Sequence, residues 1–273
     1  MTTRWGTRRE PDRPQRPAGS ALRDRRGRQM TFYDFSGGME SAAMLVVDRA
    51  RIQATGAVVR FADTGKQFPE MADSLREIEG VLGLSIVTVP RRITFDEYLF
   101  ERGGMLRKGI DDCSRRMKRG NLARHAKTFA KPWEINLGFN AEETERADAF
   151  VARNERPWCH WRFPLIEADV SRAKSRDICQ RAGFTVLVGM YEKMGRFDCF
   201  WCPNQRPAQA MKVIEHYPEL AAEWQAAEDR KGHSFLSVPL RLLPTEMQRK
   251  EDERLPLFAC SCFGGEADVF EDD

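Results

Sequence analysis

From Thr31 onward the chain alternates short apolar runs with longer amphipathic stretches, and that rhythm constrains the fold more than any other feature. The runs Thr31–Phe35, Ala57–Ala62, Ser85–Val89, Glu134–Phe139 and Thr185–Met190 are rich in β-branched or aromatic residues and predict strands. Between them, Glu40–Ile52, Pro69–Leu82, Arg115–Ala130 and Val170–Ala182 predict helices. Strands that alternate with helices join by right-handed crossovers into a parallel sheet covered on both faces. The expected fold is therefore α/β, a parallel five-stranded sheet sandwiched by helices. Asp169 is placed to cap the helix from Val170, and Gly183 to end it. Beyond Pro203 the pattern turns helical, with Gln205–His216 and Pro218–Lys231. This predicts a core over residues 30–203 and a helical extension over 204–273 that ends in an acidic tail.

Composition narrows the function classes. With 273 residues, 41% hydrophobic and 31% charged, the chain has the profile of a globular protein large enough to bury a core without disulfide staples. Its longest apolar run, Ala42–Val47, falls far short of the roughly 20 residues a membrane-spanning helix needs. The net charge of +3 is unevenly spread: residues 1–29 carry nine arginines against Glu10, Asp12 and Asp24. The overall charge thus gives no argument for a nucleic-acid partner. That Arg- and Pro-rich stretch is expected to be disordered. It can be read as an extension upstream of a start at Met30 or as a phosphate-binding arm. Seven cysteines, an odd number with no secretion signal, point to a reducing cytoplasmic setting.

The first strand runs directly into Ser36-Gly37-Gly38 and then into a helix. This arrangement gathers backbone N–H groups and a positive helix end around one point, which suits an anion such as pyrophosphate. Ser36 and Ser41 add hydroxyl donors. The loop lacks the G-x-x-x-x-G-K-[ST] pattern of common ATPases. The second strand ends in Asp63-Thr64-Gly65-Lys66-Gln67-Phe68-Pro69-Glu70, and ligands of open α/β sheets bind at such strand ends. The ordered pair S-G-G-x-[DE]-S and D-T-G-x-x-F-P-E resembles the PP-loop ATP pyrophosphatase superfamily, in its phosphoadenosine-phosphosulfate (PAPS) reductase-like branch. Gly138 through Arg146 resembles that branch's G-x-x-x-x-E-[ST]-x-x-R segment, with one residue fewer before the arginine, and Phe163-Pro164-Leu165 with Asp169-Val170 its later P-L…D-V element. The resemblance covers roughly residues 30–205.

The resemblance implies a bound adenine nucleotide, ATP or PAPS, with magnesium. It implies that Ser36, Gly37, Gly38 and Ser41 cradle phosphates. Asp63, Thr64 and Gly65 would lie beside the nucleotide, with Phe61 and Ala62 near the base. Gly138 would allow close approach to the nucleotide, and Arg146 would face it or a substrate anion. From the residues themselves, Asn140 and Glu143 stand at capping-box spacing, and Arg146 is placed to pair with Glu142 or Glu143. Two positions depart from the reductases: Met39 replaces a frequent Lys, and Glu40 replaces Asp, keeping a carboxylate that could position magnesium.

Cys199-Phe200-Trp201-Cys202 is a C-x-x-C element, able to chelate a metal, ligate an iron–sulfur cluster or cycle as a redox pair. Together with Cys113 it is similar to the cysteine pattern of adenylyl-sulfate reductases and DNA phosphorothioation enzymes of the same superfamily, which implies a 4Fe-4S cluster, with zinc as the alternative. The fourth ligand would be Cys262 or Cys260. Cys179 reads as a small core residue and Cys159 as a packing residue. The E-C-G-[IL]-H motif of sulfonucleotide reductases is absent, although Cys260 could serve as a nucleophile. Three functions remain open: ATP-dependent adenylation and thiolation of an acceptor, sulfonucleotide reduction, and non-catalytic nucleotide binding. A sulfur donor or thioredoxin, and a nucleic-acid acceptor, are the partners these readings imply.

Overall fold

The computed structural model describes residues 29–252. Strands β1 (Met30–Phe35), β2 (Val58–Ala62), β3 (Ile86–Val89), β4 (Trp133–Leu137) and β5 (Cys159–Arg162) form one sheet in the order β3-β2-β1-β4-β5. Every pairing in it is parallel. The five-stranded parallel α/β architecture read from the sequence is therefore present. Its fifth strand is not the one expected.

Thr185–Met190 forms the first part of a helix, Thr185–Met194. The run is apolar and β-branched, but its buried residues Leu187, Val188, Met190 and Met194 follow a helical spacing, and a short apolar run alone does not separate strand from helix. Its amino end is fixed from elsewhere: Glu77 accepts from Thr185 N (2.8 Å) and Val186 N (3.0 Å). The true edge strand, Cys-His-Trp-Arg, spans four residues, none of them fully buried, and so carries almost no strand signal. Pairing places it, with Trp133 opposite Cys159 and Asn136 opposite Arg162.

Three further boundaries moved. The helix expected over Glu40–Ile52 is two helices, α1 (Met39–Val47) and α2 (Arg49–Thr55), separated at Asp48. Asp48 sits in a polar knot, accepting from Tyr33 Oη (2.7 Å) and pairing with Arg162. The Val170 helix begins at Arg172, and Ser171 rather than Asp169 caps it, accepting from Lys174 N (3.2 Å). Asp169 instead has a positive φ of 49° in the turn before it. Arg115–Ala130 resolves into a wide helical turn over Ser114–Arg119 and a helix, α4 (Gly120–Ala126).

The remaining helices are α3 (Met71–Leu82), α5 (Thr144–Asn154), α6 (Pro164–Glu167), α7 (Arg172–Ala182), α8 (Thr185–Met194), α9 (Pro207–His216), α10 (Pro218–Lys231) and α11 (Leu243–Asp252). One face of the sheet buries Phe32, Trp133 and Ile135 with Ala126 of α4. Arg60 crosses this side almost fully buried, donating to Asp34 (2.6 Å) and to Leu122 O (2.9 Å). The larger core lies on the opposite face, where Tyr33, Phe35 and Met44 join Phe68, Trp201, Trp224 and Phe235 in one apolar cluster. The C-terminal helices thus share the core of the sheet. They also hold the β2–α3 loop: Tyr217 packs on Phe68 with ring centroids 5.1 Å apart and donates to Glu70.

Candidate functional site

The strand order reverses at β1, since β2 and β3 lie on one side of it and β4 and β5 on the other. The carboxyl end of that strand is the topological switch point where open α/β sheets bind ligands, and Ser36-Gly37-Gly38 occupies it. Gly37 turns the chain with φ +85°, and α1 starts immediately afterwards. Ser36 N donates to Ser41 Oγ (3.2 Å), Gly38 N donates to Ser36 Oγ (3.3 Å), and Ser41 Oγ donates to Gly38 O (2.9 Å). A hydroxyl has one proton to give, so Ser36 is the donor in the 2.9 Å Ser36–Ser41 contact. The two serines therefore lock the loop around itself. The first turn of α1 exposes N–H groups with no intrahelical partner, and Met39 N donates to Tyr191 Oη (3.0 Å). Burial, reinforced by Asp198 and Glu40, raises the Tyr191 phenol above its ordinary range, so it stays protonated. Glu40 pairs with Arg172 of α7 (3.0 Å) at the same end of α1.

Gly138, at the end of β4, faces this loop from the neighbouring strand. A Cβ there would stand 2.8 Å from Ser41 Cα and 3.0 Å from Ser41 N. The close approach that requires glycine is thus to the backbone of α1. Beyond it, Asn140 and Glu143 form the expected capping box: Asn140 Oδ1 accepts from Glu142 N (2.9 Å), and Asn140 N donates to Glu143 (3.2 Å). Arg146 is exposed, pairs with Glu143 and lies over the Phe139 ring at 4.7 Å.

At the end of β2, Asp63 Oδ1 accepts from Gly65 N (2.7 Å) and Asp63 Oδ2 from Arg91 (2.8 Å). Phe61 and Ala62 are buried in the strand. A cavity of about 150 Å³ opens here, lined by Thr64, Lys66, Arg91, Thr94, Phe95 and Asp96. Thr64 also joins this loop to the C-x-x-C segment. Its hydroxyl lies 3.1 Å from Cys199 Sγ, Phe200 N donates to Lys66 O (2.9 Å), and Gln67 bridges Cys199.

Cys113, Cys199 and Cys202 come into one electrostatic neighbourhood. Burial, then the proximity of Cys202 and Cys199, pushes the Cys113 thiol up to about 11. Burial also raises the Cys199 thiol, against the pull of Lys118 and the Thr64 hydroxyl. Lys118 and Arg196 face these sulfurs. Burial works against the Lys118 ammonium, but Cys199 and Asp198 outweigh it and raise its pKa. Arg196 pairs with Asp198 (2.9 Å), and its buried Nε has no hydrogen-bond partner among the described residues. No group of three or more His, Cys, Asp or Glu among the described residues converges on a metal position. Cys260 and Cys262 lie outside the described residues, as does most of the basic N-terminal stretch. Cys179 is fully buried with its Sγ 3.4 Å from Met39 O, in the core as expected. Cys159 is half-buried on β5.

The sequence reading missed Tyr191, Arg91, Lys118 and Arg196. Tyr191 was concealed by the strand assignment; Leu187, Val188, Tyr191 and Met194 at helical spacing were the available signal. Arg91 stands just past the third strand, a position that strand-end reasoning could have included. Lys118 and Arg196 become recognisable only when the distant cysteines are brought together.

An open parallel sheet with a Ser-Gly-Gly loop at its switch point defines the class of α/β proteins that bind anionic ligands at strand ends. Residues 30–151 match the family described as the phosphoadenosine phosphosulfate reductase domain. This segment is thus similar to that domain, as its motifs implied. A protein of Methanocaldococcus jannaschii described as uncharacterized is 26% identical over 209 residues, or 73% of this chain and 47% of that protein. The chain therefore spans about half the length of this curated relative. Among solved structures, PAPS reductase from Candida auris in a phosphate complex is similar with a TM-score of 0.38 and 17% identity, over 55% of this chain and 71% of that one. NMN synthetase from Francisella tularensis gives a TM-score of 0.37 and 12% identity, over 83% of this chain and 87% of that one. No helix among the described residues is long and apolar enough to cross a membrane.

Proposed function

We propose that the protein is a PAPS reductase-like PP-loop enzyme that acts on an adenine nucleotide in sulfur chemistry, adenylating and thiolating an acceptor at the expense of ATP. The observation that carries this reading is the self-locked Ser36–Ser41 loop at the switch point, with the loop after the adjacent strand β2 joined to the C-x-x-C segment through Thr64 and Cys199. An acceptor oxygen would attack the α-phosphorus, pyrophosphate would leave into the Ser36–Ser41 loop, and a donor sulfur would then displace AMP from the activated acceptor. Loop N–H groups, with magnesium near Glu40, would stabilise the charge that develops on the leaving phosphates. Asp63, Thr64 and Gly65 would border the nucleotide, with Phe61 and Ala62 behind them. Arg146 would be drawn from Glu143 to an incoming anion.

Cys113, Cys199 and Cys202, with Cys262 as the fourth ligand, would hold a 4Fe-4S cluster. The three thiols are electrostatically coupled and faced by Lys118 and Arg196, which supplies sulfur donors and countercharge. They do not converge on a metal position among the described residues, so holding a cluster would require them to draw together. Bound there, the cluster would supply a redox-active iron site. Iron and labile sulfide in the anaerobically purified protein, lost in Cys199→Ser, would support this assignment; protein lacking both, or containing zinc, would remove it.

A second reading, sulfonucleotide reduction with a C-terminal thiolate as nucleophile, is favoured by the family match over residues 30–151. Thermal stabilisation by ATP–magnesium, PAPS and adenylyl sulfate separates the two. A ligand at about 100 times its Kd adds roughly 2.7 kcal/mol. Selective stabilisation by ATP, with pyrophosphate release that disappears in Ser36→Ala, supports thiolation. Selective stabilisation by a sulfonucleotide, with thioredoxin-dependent sulfite release, replaces it with reduction. Stabilisation without turnover leaves a nucleotide-binding accessory protein.

A further inference from the structure

Residues 102–131 carry ten lysines and arginines against two acids, Asp111 and Asp112, a net +8, whereas the rest of the described residues sum to −6. Nine of these ten cations are exposed, and Lys118 is half-buried. The two acids are used within the segment. Asp112 is buried and accepts from Tyr98 Oη (3.0 Å), Arg115 (2.6 Å) and Arg116 (2.8 Å), while Asp111 pairs with Arg119. Asp112 thus anchors the segment to the core and turns its cations outward. Arg107 and Lys127 have no carboxylate at ion-pair distance among the described residues, and Arg124 donates to Asn121.

The helical stretch from Ser114 to Ala126 points Met117, Asn121 and Ala126 inward, and Arg115, Arg116, Arg119 and Arg124 toward solvent, with Lys127 just beyond. Cations recurring about once per 5.4 Å helical turn form a ridge suited to an extended polyanion. Arginine forks are well matched to phosphate oxygens. At the head of the ridge is Cys113, in the electrostatic neighbourhood of Cys202 and Cys199, and Cys199 touches Thr64 at the end of β2. A chain lying along the ridge is therefore led to the candidate site.

We propose that this ridge binds the phosphodiester backbone of a nucleic acid. As the delivery of an acceptor this rests on the thiolating reading; as a binding surface it stands by itself. Sequence reasoning had placed basic character only in the N-terminal stretch, whereas folding collects a larger surplus beside the thiols.

Fluorescence anisotropy with labelled RNA, single-stranded DNA and duplex DNA tests the surface across a salt series. Each phosphate contact contributes roughly 0.7–0.9 to the slope of log K against log salt. The full chain carrying Arg119→Gln, Arg124→Gln and Lys127→Gln should lose about 2 from that slope. A control carrying Arg176→Gln, Arg181→Gln and Arg241→Gln, exposed sites away from the ridge, should keep the wild-type slope. The pair Arg124→Gln and Lys127→Gln breaks no ion pair and serves if the triple variant melts early. Equal slopes in ridge variant and control, or no salt-sensitive binding to any of the three, overturn the proposal. Nucleotide stabilisation measured on the same proteins keeps the two questions apart. Its loss in wild type with the ridge slope intact sinks the enzymatic reading alone; its retention where the slopes are equal sinks the ridge alone.

Discussion

Single residues at the loop are set by distances of a few tenths of an ångström. Gly138→Ala would force a Cβ to within 2.8 Å of backbone, which has no rotamer to yield. We expect a loss of about 1–3 kcal/mol in denaturant unfolding, together with weaker nucleotide stabilisation. Glu134 gives a second residue-scale test. Burial alone would raise its carboxyl, but the Arg51 fork at 2.6 and 3.0 Å and Asn136 outweigh burial and hold it below its ordinary value. A carboxyl lowered in the folded state contributes stability above its unfolded pKa of about 4.3, lost as pH falls through the folded value. Wild type should therefore lose more stability than Glu134→Gln between neutral and strongly acidic pH, measured by urea unfolding at each pH. Equal pH dependence would remove Glu134 from the acid response. The capping box at Asn140 and Glu143 was legible because it needs only local spacing. The Asp48 knot was not, since its partners come from β1 and β5.

At the scale of elements, α8 shows why the fifth strand was misplaced. Its sequence satisfies strand and helix composition equally, and the decision rests on Glu77 of α3 capping Thr185 and Val186. Glu77→Ala should cost about 1 kcal/mol, read as a lowered Tm. Rescue by Glu77→Asp would be incomplete because the shorter side chain reaches less far. Gly189, inside the same helix, has nothing within 4 Å of the place an added Cβ would take. Gly189→Ala should therefore raise stability by about 0.5–1 kcal/mol, as expected for a helix interior. Of the four strands read correctly, β1, β2 and β4 are mostly buried, and the edge strand β3 keeps a β-branched Ile-Val-Thr-Val run; β5, an edge strand of Cys-His-Trp-Arg, has neither signal.

For the whole molecule, the larger core runs without a break from Phe35 and Met44 to Trp224 and Phe235. Calorimetry of the full chain should therefore show one cooperative transition over the described residues. Truncation after Gln205 should abolish it, because Phe68, Phe200 and Trp201 would lose the aromatic and aliphatic partners that cover them. A truncated chain that still melts cooperatively would show that the sheet and its first helices fold alone.

The parallel α/β architecture, the glycine loop, the strand-end D-T-G-x-x-F-P-E segment and the family resemblance over roughly residues 30–205, of which 30–151 match the domain family, were legible in the chain because each depends on periodicity or on neighbours close along it. Only folding settled which segment became the fifth strand, where α1 breaks, that Tyr191 closes on the loop, and that Lys118 and Arg196 face the cysteines. Those outcomes depend on groups far apart in the chain whose hydrogen bonds, charges and apolar surfaces meet only once the sheet has formed, so no window of sequence contains them.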